Sequence, residues 1–159
     1  MHDVARELLR HAIATVAYRG AKTLRGAPAS FSEFSAGSSS RTAGQILAHI
    51  GDLFDWALSI ARGEPQWQDS SPLAWASEVS RFHRTIAAFD EYLASGLPLH
   101  GPAEQLFQGP VADALSHVGQ LALLRRLAQA PIKGENYFKA DIAAGRVGAE
   151  QSAPRREFE

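Results

Sequence analysis

The chain has 159 residues, 45% of them hydrophobic and 21% charged, which suits a soluble globular protein built around one core. A formal net charge of −1 supplies no field that would draw nucleic acid or an anionic membrane, so neither is expected as a partner. Cysteine is absent, which excludes disulfides, thiolate zinc sites and a cysteine nucleophile.

The stretch MHDVARELLRHAIATVAYRG breaks its apolar residues with charges and lacks the apolar centre of a signal peptide. No run approaches the ~20 apolar residues that span a bilayer, and a cytoplasmic location is expected. Val4, Leu8, Leu9, Ile13, Val16 and Ala17 recur three and four apart and predict a first helix from about Asp3 to Leu24, stopped by Gly26 and Pro28. The following GAPASFSEFSAGSSSR is a loop, with Phe31 and Phe34 as its anchors.

Thr42 and Gln45 form a capping-box pattern that opens a second helix, whose apolar stripe is Ile46, Ile50, Leu53, Ala57 and Ile60. Gly63 and Pro65 end it. Ser71 as cap and Pro72 at the first position predict the start of a third helix, with Val79, Phe82, Ile86, Phe89 and Leu93 inward. Pro110 at the first position predicts the fourth, which buries Val111, Ala114, Leu115, Val118, Leu121, Leu124 and Leu127 and stops at Pro131. A short helix is expected around Tyr137 to Ala144. The expected architecture is all-α, a four-helix bundle over residues 1–130, with an irregular tail, 131–159, packed on it in one domain.

Chemistry concentrates on two of these helices. Asp113 and His117 stand four apart in DALSHVGQLALLRRLAQ, so their side chains share a helix face. They offer an oxygen and an imidazole nitrogen to a divalent ion. His49, in mid-helix beside Ile46, Ile50 and Leu53, is the candidate third ligand, on a face with Gln45, Asp52 and Trp56. The bland alternative is a solvated or mutually hydrogen-bonded Asp–His pair, since D-x-x-x-H arises often by chance. Gln120, one turn from His117, is a candidate orienting group. Asp52 is a candidate partner of Arg125 or of substrate, against a solvated carboxylate. Trp56 is a candidate wall of the pocket mouth, against a plain core tryptophan. The segment KGENYF, with Glu135, Asn136 and Tyr137, is a candidate lid, against a tail anchored by Tyr137 and Phe138. Arg125 and Arg126 read as a pair complementing the C-terminal helix dipole. His2, His11, His83 and His100 read as structural or solvated.

The phrases QILAHIGDLFDWAL and HVGQLALLRRL resemble the DinB-like (YfiT-like) superfamily over roughly residues 1–130. Members carry a histidine on the second helix and an H-x-x-x-H pair on the fourth. His49 matches the former and His117 the second member of the pair. Asp113 stands where the first histidine usually does, which is similar to the mycothiol-dependent maleylpyruvate isomerase branch, where a glutamate fills that place. The resemblance implies a four-helix bundle binding a divalent metal (Zn, Ni, Mn or Fe) through His49, Asp113 and His117. It also implies a homodimer and a small-molecule substrate, with thiol-dependent S-transferase, isomerase or hydrolase chemistry. A low-molecular-weight thiol cosubstrate would supply the sulfur this chain lacks. The alternatives are a non-catalytic metal- or ligand-binding stress-response protein and a metal-free helical dimer.

Overall fold

The computed structural model describes residues 3–158. Helix α1 spans Val4–Leu24, capped by the Asp3 carboxylate, which accepts from the Arg6 N–H. Helix α2 spans Ala43–Ala61 and opens with the full Thr42/Gln45 capping box. Helix α3 spans Trp75–Ala94. A last helix, α4, is continuous but not uniform: Ala103–Leu106, a π-helical turn Phe107–Val111, then Ala112–Leu127. Among the described residues no strand forms, and no helix is long and apolar enough to cross a membrane.

Contacts between the helices set their order and direction. In the ring of neighbours, α1 touches α3, α3 touches α2, α2 touches α4, and α4 touches α1. Arg6 reaches the Leu97 carbonyl and Arg10 pairs with Asp90, so α1 and α3 are antiparallel. Phe31, ahead of α2, meets Trp75 at the start of α3, and the end of α2 bonds His100 just beyond α3; α2 and α3 are therefore parallel. Thr23 near the end of α1 meets Arg125 near the end of α4, and those two are parallel as well.

Parallel neighbours joined in sequence require a crossover. Residues 62–74 must return the length of α2, about 28 Å for its 19 residues. Fully extended they reach about 43 Å, so they can run as an irregular strap along the bundle. Gly63, with φ +84°, turns the chain into that strap.

The core joins Ile13, Leu47, Ile50, Phe54, Phe82, Ile86, Phe89, Leu93, Leu106 and Leu121, all nearly inaccessible. Phe31 is buried as expected, stacked on Phe34 and edge-on to Trp75. An ionic cluster lies beside this core. Arg81 of α3 donates to Asp52 of α2 at 2.7 Å, to Asp55 at 2.9 Å and to the Ala48 carbonyl at 3.1 Å, with Glu78 at 3.4 Å. Asp52 is 2% and Glu78 1% exposed. Asp52 also accepts from the N–H and hydroxyl of Ser70, and Glu78 from the Leu73 N–H, so one cluster ties α2, α3 and the strap together. Gly51 leaves the room: a Cβ there would lie 2.7 Å from Arg81 Nη1.

Several expectations are corrected. Helix α3 starts at Trp75, not after Ser71 and Pro72, because Asp52 and Glu78 take the Ser70 and Leu73 N–H groups and hold this segment outside the helix. Helix α4 starts at Ala103, before Pro110; the π turn shifts the hydrogen-bond register where proline has no N–H to donate. Tyr137–Lys139 is a single 3₁₀ turn, not a helix to Ala144. The tail instead folds back on itself, Phe158 N–H to the Gly134 carbonyl and Asn136 N–H to that of Arg156, and buries Val147. Arg125 is not a surface dipole partner: it is 6% exposed and donates to the Thr23, Arg25 and Ala130 carbonyls, capping α1 and its own helix.

Arg81→Ala would leave Asp52 and Glu78 buried without their cation. A loss of about 3–5 kcal/mol is expected in urea denaturation, whereas Asp113→Asn, at a half-exposed carboxylate, should change stability little.

Candidate metal centre

Helices α2 and α4 run antiparallel and bring His49, Asp113 and His117 together. His49 Nε2 lies 3.5 Å from Asp113 Oδ2 and His117 Nε2 3.4 Å from Asp113 Oδ1. One ligand atom from each residue falls within 4.8 Å of the other two. A tetrahedral ion with bonds near 2.0–2.1 Å separates its ligands by about 3.3–3.4 Å; the two imidazoles stand at about that spacing from Asp113, each from a different carboxylate oxygen. The side chains of His49 and His117 are 15% and 12% exposed, that of Asp113 49%.

Hydrogen bonding assigns the imidazole atoms. Nδ1 of His117 donates to Oε1 of Gln120 at 2.7 Å, so in the neutral ring the lone pair is on Nε2, the atom facing Asp113. Nδ1 of His49 is buried and finds no partner among the described residues, so the ring's polar contact is through Nε2 alone. Burial, then the nearby His117 and Arg41, push the affinity of His49 for a proton below its ordinary value, against the pull of Asp113. Neutral imidazole is the form that binds a metal. Donor set, spacing and protonation all fit a divalent ion.

Each candidate ligand borders a different cleft. Asp113 lines one of about 390 Å³ with Leu53, Trp56, Gln108 and Ser116. His117 lines one of about 360 Å³, and His49 one of about 310 Å³ that also holds Asp52, Asp69 and Ser70. Each of the three residues thus lines an open cleft, and a metal site that acts on a small molecule needs one open coordination position.

The remaining predicted residues are distributed as follows. Gln120 bonds His117. Trp56 is half-buried and meets the edge of Trp67. Asp52 is neither solvated nor paired with Arg125; it belongs to the Arg81 cluster. Glu135 and Tyr137 lie against α1, and none of Glu135, Asn136 and Tyr137 bonds His49 or His117. Glu135 takes bonds from Tyr18 and Lys22, Asn136 caps its own 3₁₀ turn, and Tyr137 packs edge-on to Tyr18 under Arg19. Phe138, expected as an anchor, is 97% exposed, because the turn points it outward. His11 is exposed, His83 bonds the Val147 carbonyl, His100 packs on Gly63, and His2 lies outside the described residues.

Two residues around the centre carry little signal in the sequence. Trp67, on the strap, sets its ring 5.6 Å from that of His49. Its only signal was a large aromatic inside the polar stretch EPQWQDSSP. Arg41 borders the clefts of both histidines; one arginine closing a serine-rich loop carries no signal of its own. Comparison of the chain with protein-family models, with curated proteins and with solved structures finds no match.

Both His49 and His83 hold their protons less tightly than the ordinary 6.5, burial being the first cause in each. Below pH 6.5 the unfolded chain therefore takes up protons that the folded chain resists, and stability should fall. Denaturation of metal-free protein at pH 7.5, 6.0 and 5.0 should show that decline, with a shallower slope in His83→Gln. Gln120→Ala, which frees the His117 ring, should weaken metal affinity about 10–100-fold in competition with a chromophoric chelator.

Proposed function

We propose that the protein binds a divalent transition metal at His49, Asp113 and His117 and uses it on a small molecule. The observation that carries this reading is the convergence of three ligand atoms from two helices, with His117 Nε2 left free by the Gln120 hydrogen bond. Two imidazoles and a carboxylate suit Zn²⁺, Ni²⁺, Mn²⁺ or Fe²⁺. A bound ion would supply Lewis-acid activation of a water or of a thiol.

The chain's own residues define the rest. Gln120 holds the His117 ring in one tautomer. Trp67 covers the outer edge of His49 and, with Trp56, limits water on that side. Asp113, half-exposed, faces the cleft through which a reactant reaches the centre. Sulfur chemistry would require a thiol cosubstrate, because the chain has no cysteine. The resemblance of the α2 and α4 phrases to the DinB-like superfamily supports the same reading, including its thiol-dependent transferases and isomerases.

Elemental analysis of purified protein tests it. The parent should hold close to one equivalent of metal after incubation with Zn²⁺, Ni²⁺ or Mn²⁺, and the His49→Ala/His117→Ala double variant none. Metal absent from the parent under all three conditions overturns the reading. Retention by a folded double variant places the ion elsewhere.

A further inference from the structure

The cleft beside His117 has a chemistry of its own. Its walls are Ile46 of α2 and Leu123 and Leu124 of α4, with His117 and Ser40 also lining it. Its volume, about 360 Å³, lies within the range of small-ligand pockets. Arg41 borders it, exposed, one residue before the Thr42 cap and about two helical turns along α2 from His49. The ion pairs of the described residues engage Arg6, Arg10, Lys22, Arg81, Arg146 and Arg155 among the lysines and arginines, and leave Arg41 out.

Charge decides which side of Arg41 an anion would take. The cleft beside His49 carries the exposed carboxylate of Asp69, which repels it, whereas Asp52 there is already held by Arg81 and Ser70. No acidic residue lines the cleft beside His117. A ligand there meets a guanidinium at one point, apolar walls along its body and an imidazole at another. Guanidinium recognises carboxylate through two parallel charge-assisted hydrogen bonds, and the leucine and isoleucine walls gain from covering hydrocarbon.

We infer that this cleft binds a small carboxylate with a hydrocarbon body: the carboxylate on Arg41, the body across Ile46, Leu123 and Leu124, and the far end at His117. The inference rests on the metal reading only for what the far end meets; the Arg41 and apolar subsites stand without it.

The test titrates hexanoate and hexan-1-ol into the full chain freed of metal by a chelator, followed by methyl NMR. Hexanoate should bind at least tenfold more tightly than hexan-1-ol and shift the methyls of Ile46, Leu123 and Leu124. Arg41→Gln should bring hexanoate down to the level of the alcohol, and Arg41→Lys should keep part of the preference. Equal affinity for the two probes, or a preference that survives Arg41→Gln, overturns the inference. Displacement of hexanoate by inorganic phosphate at equal concentration overturns the assignment of a hydrocarbon-bodied carboxylate. Metal uptake is then read on the same two proteins after the chelator is removed and Zn²⁺, Ni²⁺ or Mn²⁺ is added, and should not differ between parent and Arg41→Gln. A carboxylate preference in a parent that takes up no metal would leave the cleft standing and remove the metal reading alone.

Discussion

Arg81 is the hinge of the whole arrangement. Its guanidinium lies against the backbone of α2 at Gly51, bonds the Ala48 carbonyl and joins Asp52, Asp55 and Glu78. A buried cation with two buried carboxylates is tolerated only when nearly every polar atom is satisfied. Here the satisfaction extends past the helices. Asp52 spends its remaining acceptors on Ser70, and Glu78 on Leu73, so the same cluster that locks α2 to α3 also holds the strap between them. The strap carries Trp67, and the cluster thereby sets the cover over His49.

A second constraint acts on α4. Asp113 and His117 can meet His49 only if α4 keeps its phase against α2. Buried Arg125 bonds the last carbonyls of α1 and so ties the far end of α4 in place. At the near end the π turn Phe107–Val111 absorbs Pro110 without ending the helix. Regular helix resumes at Ala112, immediately before the first candidate ligand. The irregularity sits beside the site and lines one of its clefts, through Gln108 and Gly109, as π turns in functional helices often do.

Much of the fold could be read from the chain. Helix α2 announces itself through Thr42, Gln45 and its apolar stripe because capping and periodicity are local effects. The pairing of Asp113 with His117 is equally local, being one turn of helix. The starts of α3 and α4 were misread for the converse reason. Ser71, Pro72 and Pro110 are good local signals, but Asp52 of α2 and Glu78 one turn into α3 hold residues 70–73 outside the helix, and a π turn carries the helix through Pro110. The tail residues Glu135 and Tyr137 look chemical in sequence, yet Lys22, Tyr18 and Arg19 of α1 claim them as an anchor.

The sequence by itself determined four amphipathic helices, the absence of any thiol, and two candidate ligands on one face of the last helix, since each follows from composition or from contacts within a turn. Only the tertiary structure decided that α2 and α3 run parallel, that the strap between them brings Trp67 to His49, that His49 of α2 meets Asp113 and His117 of α4, and that Arg41 borders the clefts of both histidines. Those facts depend on which helices become neighbours and in which direction. That choice is made by the burial of charge in the Arg81 and Arg125 clusters and by the shape of the core, and no local pattern encodes it.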